Sequence, residues 1–151
     1  MARHKMPSFK VDMNSMSASV TPSRFAKQYD QAQYLLDGQV MTDMVPLMPM
    51  QTGTFIRLTR TRSAAIQGTG EVVAAAPPYG RFLYAGKVMV DEVTGSAWAR
   101  PGARKVVTPK DLAYDRSTNT EAQAMWFEEA KRRHLKRWLE LAGRTAGGGK
   151  K

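Results

Sequence analysis

The sequence predicts an α+β protein, with a long N-terminal helix and a C-terminal helix packed on a small, mainly antiparallel sheet, and with a long loop. Two segments, near residues 21–44 and 120–143, carry apolar residues at spacings of three and four, which is typical of amphipathic helices. Between them, short alternating runs are separated by glycine-containing turns, which is typical of antiparallel strands. A chain of 151 residues that is 42% apolar supports one hydrophobic core, so we expect a single domain over residues 21–143.

Two terminal segments flank this domain. Residues 1–20 form an arm with a short strand predicted where Phe9, Val11 and Met13 alternate with polar residues. Residues 144–151 are rich in glycine and basic residues, and we expect them to be a disordered tail. The core is therefore expected to lie between these two segments.

The first long helix is predicted from Thr21 to Met44. Thr21 is a favourable N-cap residue, and Pro22 suits the first helical position. Pro46 disfavours helical geometry in the residue before it, which ends the helix. One apolar stripe follows from the spacing, and it comprises Phe25, Tyr29, Ala32, Leu36, Val40 and Met44.

Several methionines cluster between residues 41 and 50. Methionine is flexible and polarizable, so such a cluster either fills irregular gaps in a core or provides an adaptable contact surface. Core packing is the favoured interpretation.

An antiparallel hairpin is predicted over residues 56–76. Ile56 and Leu58 alternate with polar residues, Gly68 begins a reversal, and residues 71–76 form a second β-prone run. These two runs are expected to pair and to pack on the long helix.

The middle of the chain is predicted to contain a short helix, a strand and a long loop. Residues 79–84 form one or two helical turns that end at Gly86, and a strand over residues 87–91 leads into a turn at Gly95. Residues 96–119 lack periodicity, and a loop of this length is uncommon in a small domain unless it is functional. We therefore expect this loop to become ordered against a partner.

The C-terminal helix is predicted from its ends and from its charges. Thr120 and Gln123 have capping-box spacing, and Gly143 is placed to end the helix. Acidic residues lie early and basic residues late, which complements the helix dipole. Trp126 and Trp138 are expected on the face that packs against the core.

The chain is strongly basic, with 23 Lys and Arg against 13 Asp and Glu, a formal charge of +10 and a pI near 10.2. Such a charge favours polyanionic partners, above all nucleic acid. A basic surface that meets an acidic neighbouring protein, or that simply keeps the chain soluble, explains the charge equally well, and both interpretations stay open.

The composition also narrows the chemistry. The chain has no cysteine, which excludes disulfides, thiolate nucleophiles and cysteine zinc sites within it. Its apolar runs are far shorter than the ~20 residues that cross a bilayer, and no leader-like segment opens it. We expect a soluble, unsecreted protein that has no membrane partner.

The sequence offers little catalytic chemistry. It contains only His4 and His134, and it lacks the HExxH, GxSxG and phosphate-binding GxxxxGK[ST] patterns. Asp91 and Glu92 are a candidate for a divalent metal, but adjacent strand residues point to opposite faces, so a solvated turn is favoured. For His134, packing among tryptophans is favoured over a role as general base. We therefore expect no enzyme activity, no catalytic residue, no cofactor and no metal.

A basic run in the last helix is the candidate DNA-facing surface, and it comprises Lys131, Arg132, Arg133, Lys136 and Arg137. Such a face contacts phosphates without reading sequence. The favoured alternative is a solvated charged face, because Glu128 with Arg132 and Glu129 with Arg133 have ion-pair spacing.

Three stretches, taken in order, resemble a known family: VPLMPMQTGTFIRLTR (residues 45–60), PPYGRFLYAGKVMVDEVTG (residues 77–95) and AQAMWFEEAKRRHLKRW (residues 122–138). They resemble the minor capsid protein family of siphophages of Gram-positive bacteria. That family is similar to the phage neck and tail-completion, or head-tail joining, proteins. The similarity covers most of the chain after Thr21.

The resemblance implies a structural virion protein that forms a ring, joins the portal side of the capsid to the tail and lines the DNA conduit. Its partners would be other copies of itself, neighbouring neck, portal-side and tail proteins, and genomic DNA in the channel. Its location would be the virion, and the host cytoplasm during assembly. Residues 96–119 would be the docking arm. The candidate subunit-interface residues are Tyr79, Arg81, Tyr84, Lys87, Trp98 and Tyr114.

Two other interpretations stay open. A stand-alone basic nucleic-acid-binding protein would bind DNA tightly as an isolated monomer, in a salt-sensitive way that depends on residues 131–137. An enzyme is the weakest of the three, because no acid, base and nucleophile group together in the sequence. The sequence does not distinguish among adaptor, head-closure, tail-completion and tail-terminator positions, and it does not fix a copy number.

Overall fold

The computed structural model describes residues 22–147. It confirms the predicted α+β class, with two long helices, a small two-stranded antiparallel sheet and loops between them. The strand predicted at residues 9–13 lies outside the described residues. In chain order the elements are α1 (Pro22–Met44), a 3-10 turn (Val45–Leu47), α2 (Thr54–Ala64), α3 (Gly80–Ala85), β1 (Lys87–Asp91), β2 (Lys105–Asp111) and α4 (Trp126–Ala146).

The predicted first helix is confirmed as α1, which starts at Pro22 and ends at Met44. The predicted apolar stripe is buried at Ala32 and in the last turns, where Met44 is fully enclosed. Near the start of α1, the side chains of Phe25 and Tyr29 are 45% and 42% exposed. The stripe therefore serves the core mainly through its later residues.

The core lies between α1 and α4, which make the most extensive contact in the structure. Three methionines, Met41, Met44 and Met48, are buried in it, which confirms that this cluster fills the core. Burial of one such side chain stabilises the fold by roughly 1.5–3 kcal/mol. The other buried members of the cluster are Val40, Leu47, Ile56, Ala74, Trp126, Ala130 and Trp138.

The hairpin predicted over residues 56–76 is wrong, because its first run forms α2. The buried positions of α2 are Ile56, Thr59 and Ser63, at spacings of three and four. Two of these three buried side chains carry a hydroxyl group. The helical periodicity is therefore hidden from a search for apolar residues alone.

The second run, residues 71–76, forms no strand and instead lies against α2. Ala76 N donates a hydrogen bond to Thr59 Oγ1 at 3.2 Å, and Val73 N donates one to Ser63 Oγ at 3.4 Å. The buried hydroxyls of α2 thus accept the backbone hydrogen bonds that a neighbouring strand would otherwise take.

The segment after the two prolines agrees with its prediction. The short helix is α3, the strand is β1, and Gly86 between them has φ +68, in the left-handed region. A Cβ atom at Gly86 would lie 2.6 Å from Ala124 Cβ and 2.9 Å from Tyr114 Oη. Glycine is required there by the backbone conformation and by the lack of space.

The long loop predicted over residues 96–119 is wrong in its middle, where β2 pairs antiparallel with β1. Their register shifts between Lys87 and Met89, and the extra residues of β2 at this shift include Pro109. A proline, which lacks an N–H group, is tolerated in such a bulge on an edge strand. The sheet therefore forms although Pro109 lacks an N–H group.

Both predicted ends of the last helix need correction. α4 begins at Trp126 with no side-chain cap, so the Thr120 and Gln123 capping box does not form. Gln123 N instead donates to the carbonyl oxygen of Leu47 at 3.1 Å. The helix continues past Gly143 to Ala146, so the first residues of the predicted disordered tail are helical. A single glycine does not end the helix, because it costs only about 1 kcal/mol.

Candidate functional site

The basic run on α4 is largely paired with carboxylates. Arg132 Nη2 and Arg133 Nε each lie 2.6 Å from Glu129 Oε1, and Arg133 Nη1 lies 2.9 Å from Glu121 Oε1. Hydrogen bonds from Arg132, and then from Arg133, lower the pKa of Glu129 to about 2. The predicted pair of Glu129 with Arg133 is confirmed, whereas Arg132 binds Glu129 in place of the predicted Glu128.

A third arginine of this run, Arg137, binds Asp43 of α1. The same carboxylate accepts hydrogen bonds from Trp138 Nε1 at 2.7 Å and from Gln39 Nε2 at 3.1 Å. Burial raises the pKa of Asp43, but the hydrogen bonds from Arg137, Trp138 and Gln39 together outweigh it, so the pKa lies below its usual value. Arg137 therefore joins α4 to α1.

Only two of the five candidate DNA-facing residues, Lys131 and Lys136, have no carboxylate partner in the described part of the chain. The charge of the other three is balanced by neighbours within the fold. This pairing favours the solvated, ion-paired face over a DNA-facing one.

A second basic surface lies on α2, and the sequence did not single it out. Arg57, Arg60 and Arg62 are exposed, and α2 contains no acidic residue. None of the three arginines forms an ion pair with any residue that the structure describes. Helix α2 therefore carries three arginines whose charge no described carboxylate balances, against two such lysines in the basic run of α4.

Three of the six candidate interface residues make contacts within the fold. Tyr84 packs edge-on against Trp126, with ring centroids 4.9 Å apart. Tyr114 donates its hydroxyl hydrogen bond to a carbonyl oxygen of α3, and Lys87 pairs with Asp111 across the sheet. Tyr84 and Tyr114 therefore connect α3 to other parts of the domain, and Lys87 connects the two strands of the sheet.

The other three candidates remain available for an interface. Tyr79 is 68% exposed and Trp98 is 88% exposed, and Arg81 is also exposed. Tyr79 and Arg81 line an open cavity of about 610 Å³, and Trp98 stands beside Ala99, which lines the same cavity. The structure thus brings these three residues to one region of the surface.

This cavity, which we call the α3 groove, is bounded by α3, by one face of the sheet and by the loop of residues 92–104. Its apolar lining includes Phe82, Met89 and Val107, and the last two are partners across the strands. Val107 is 59% exposed. The groove therefore presents an uncovered apolar floor.

The loop beside the α3 groove is held by a buried carboxylate. Asp91 accepts hydrogen bonds from Val93 N at 2.8 Å, Thr94 N at 3.1 Å and Arg100 N at 3.4 Å. The hydrogen bonds from Thr94, and then from Val93, lower the pKa of Asp91 despite its burial. Asp91 is therefore a buried structural residue, which corrects the predicted solvated turn, whereas Glu92 is exposed.

The remaining candidates for chemistry make packing contacts. The ring centroids of His134 and Trp138 lie 6.4 Å apart, which agrees with the packing role predicted for His134. Within residues 22–147, no group of three or more His, Asp or Glu side chains is arranged to hold a metal ion.

No protein-family model, no curated protein and no solved structure matches the chain. The resemblance to siphophage minor capsid proteins therefore rests on the order of the sequence motifs. Across the described helices, none is long and apolar enough to cross a membrane.

Proposed function

We propose that the protein is a structural, non-catalytic subunit of a phage head-tail neck, of the minor capsid or tail-completion type. It forms a ring that joins the portal side of the capsid to the tail and lines the DNA conduit. Its partners are other copies of itself, neighbouring neck, portal-side and tail proteins, and genomic DNA. It resides in the virion, and in the host cytoplasm during assembly.

The observation that carries this proposal is the set of exposed apolar and aromatic side chains beside the α3 groove. Trp98, Val93 and Tyr79 are 88%, 77% and 68% exposed, and they lie in or next to the stretch of residues 77–95 that resembles the family. Tryptophan, tyrosine and arginine are enriched at the centres of protein interfaces. Such a surface suits a subunit that is covered on assembly.

Helix α2 supports the DNA-lining part of the proposal through its exposed arginines. Its three arginines have no internal carboxylate partner in the described residues, so their charge is available to phosphates. Contacts of this kind are independent of base sequence, which is what a conduit for a whole genome requires. The paired arginines of α4 are less suited to this role.

An assembly experiment tests the proposal with substitutions that should leave the fold intact. Trp98→Ala and Tyr79→Ala remove exposed side chains, so the monomer should stay folded, whereas association with portal-side or tail proteins of the same phage should weaken at least tenfold. Arg144→Ala, near the end of α4, is the control, because its pair with Glu140 is exposed and weak. Unchanged association in both aromatic variants would contradict the proposal.

A stand-alone nucleic-acid-binding protein is the second candidate, and the unpaired arginines of α2 favour it. It predicts tight, salt-dependent DNA binding by an isolated monomer that forms no ring with any virion protein. The two candidates therefore differ in whether assembly occurs at all.

A further inference from the structure

The α3 groove has a lining that suits apolar side chains. Phe82 forms part of one wall, and Met89 and Val107 form part of the floor on the face of the sheet. Small residues, Ala99 and Ala103, complete the side formed by the loop. A cavity of about 610 Å³ with this lining is large enough for several side chains of an incoming segment.

The charge at the α3 groove has one sign. Arg81, Arg104 and Lys105 line it, and none of its lining residues is acidic. The guanidinium carbon of Arg81 lies 4.6 Å from the centroid of the Phe82 ring, and Lys105 Nζ lies 5.6 Å from it. None of these cations forms an ion pair within the part of the chain that the structure describes.

The wall of the α3 groove is already ordered without an occupant. Asp91 holds the turn that begins the loop, and Lys105 Nζ donates a hydrogen bond to the carbonyl oxygen of Ala97 at 2.7 Å. A preformed wall lowers the entropy cost of binding.

We infer that the α3 groove binds an acidic segment of a different protein, one that carries apolar side chains between its carboxylates. The apolar residues would cover Met89 and Val107, and the carboxylates would pair with Arg81 and Arg104. Exposed Trp98 extends the contact beyond the groove, and exposed Tyr79 adds an aromatic side chain to its lining. The inference goes beyond the proposed neck role, because it names the chemistry of the partner and concerns the isolated chain.

Two other occupants fit the α3 groove less well. A second copy of this chain brings a formal charge of +10, which disfavours contact with three cations. Single-stranded nucleic acid binds through aromatic faces on which bases stack, but the Phe82 ring is already contacted by two cations and the floor is aliphatic. Charge and apolar lining together favour the acidic peptide.

Fluorescence anisotropy tests the inference on the full chain with a labelled short peptide made of Glu, Leu and Phe. A peptide with Lys in place of every Glu and a peptide with Ser in place of Leu and Phe are the matched probes. The peptide made of Glu, Leu and Phe should bind well at moderate salt, and the two matched probes should not. Equal binding by the peptide that lacks apolar residues would overturn the inference, because it would show attraction by net charge alone.

Two double variants with the same change in charge locate the binding site. Arg81→Glu with Arg104→Glu should weaken binding of the acidic peptide at least tenfold, whereas Arg57→Glu with Arg62→Glu on α2 should weaken it less than about threefold. Equal loss in both, or no binding by the unmodified chain, would overturn the inference. So would displacement of the peptide by an oligothymidylate that binds the groove more tightly.

A third variant, Val107→Ser, tests the apolar floor without a change of charge. Val107 is largely exposed, so the fold should persist while peptide affinity falls severalfold. Failure of these peptide experiments would leave ring assembly untested, and failure of ring assembly would leave peptide binding by the isolated chain intact. The two proposals are therefore tested separately.

Discussion

The indole Nε1 of Trp126 donates a 2.8 Å hydrogen bond to the backbone carbonyl oxygen of Ala74. The same side chain is fully buried and lies edge-on to Tyr84 and Phe55. One residue at the start of α4 therefore contacts α2, α3 and the segment between them.

Substitution of Trp126 by Phe should destabilise the protein by about 1–3 kcal/mol, because it leaves the carbonyl oxygen of Ala74 buried without a donor. Trp126→Ala should cost more, about 3–5 kcal/mol, because it also leaves a cavity. The free energy of unfolding in urea measures both. The control is Trp98→Phe, an exposed position, which should change stability by less than about 0.5 kcal/mol. Equal effects of Trp126→Phe and Trp98→Phe would contradict this account of the core.

Substitution of Asp43 by Asn should weaken the connection between α1 and α4. Asn keeps an oxygen that can accept the Trp138 hydrogen bond, but it loses the charge that pairs with Arg137. We expect a loss of about 1–2 kcal/mol in the free energy of unfolding. Glu140→Gln is the control, because Glu140 pairs with Arg144 at the surface, where the effect should be near zero.

The pH dependence of stability follows from the same carboxylate. Because the pKa of Asp43 is lowered in the folded protein, its contribution is fully present above the unfolded value near 3.8 and is lost as the pH falls through the folded value. The difference in stability between the wild type and Asp43→Asn should be constant from about pH 7 to pH 5 and should shrink below about pH 4. Thermal unfolding across this range measures it. A difference that shrinks already between pH 7 and 5 would contradict the pairing.

DNA binding by the isolated chain should depend on α2 more than on α4. Each phosphate contact contributes about 0.9 to the slope of log affinity against log salt, so Arg57→Ala with Arg62→Ala should reduce the slope by roughly 2. Arg132→Ala with Arg133→Ala removes the same charge, but these residues are engaged by Glu129 and should change the slope by less than about 1. A larger change of slope in the α4 variant than in the α2 variant would support the DNA-facing role predicted for α4.

Gly86 and Gly95 form a matched pair, because both have φ +68. A Cβ atom at Gly86 would lie 2.6 Å from Ala124 Cβ, whereas nothing lies within 4 Å at Gly95. Gly95→Ala should cost about 1 kcal/mol from the backbone alone, and Gly86→Ala should cost a further 1–3 kcal/mol. Chemical unfolding of the two variants measures the difference, and equal values would show that the region around Gly86 relaxes.

The sequence predicted elements whose signals are local. Pro22 and Pro46 bracket α1, and Gly86 marks the change from α3 to β1. The end of α4 is not predictable in this way, since a single glycine costs a helix only about 1 kcal/mol and α4 continues past Gly143. Local signals therefore predict both ends of α1 and the change from α3 to β1, whereas they fail at both ends of α4.

The elements that the sequence missed depend on contacts between distant residues. The sequence predicts a strand where α2 forms, because the buried face of α2 includes the polar residues Thr59 and Ser63. The hydroxyl of Thr59 accepts a hydrogen bond from Ala76 N, which is 17 residues away in the sequence. Pro109 makes β2 hard to predict from the sequence, because the bulge of β2 that accommodates this proline is evident only once β2 is paired with β1.

The candidate site was predictable only in part. Tyr79 and Tyr84 lie five positions apart in one motif, yet Tyr79 is exposed and Tyr84 packs on Trp126. The basic run on α4 was visible, but its neutralisation involves Asp43 and Glu121, which are distant in sequence from most of it. The α3 groove combines residues from three elements, so no single stretch of the sequence indicates it.

The measurement that tests the proposed neck role most directly is the mass of the purified protein in solution, alone and mixed with phage portal-side and tail proteins. We expect a ring of defined copy number, either by itself or only with those partners, visible as a closed annulus by negative-stain imaging. A chain that stays monomeric with every virion partner while it binds DNA strongly would contradict the account.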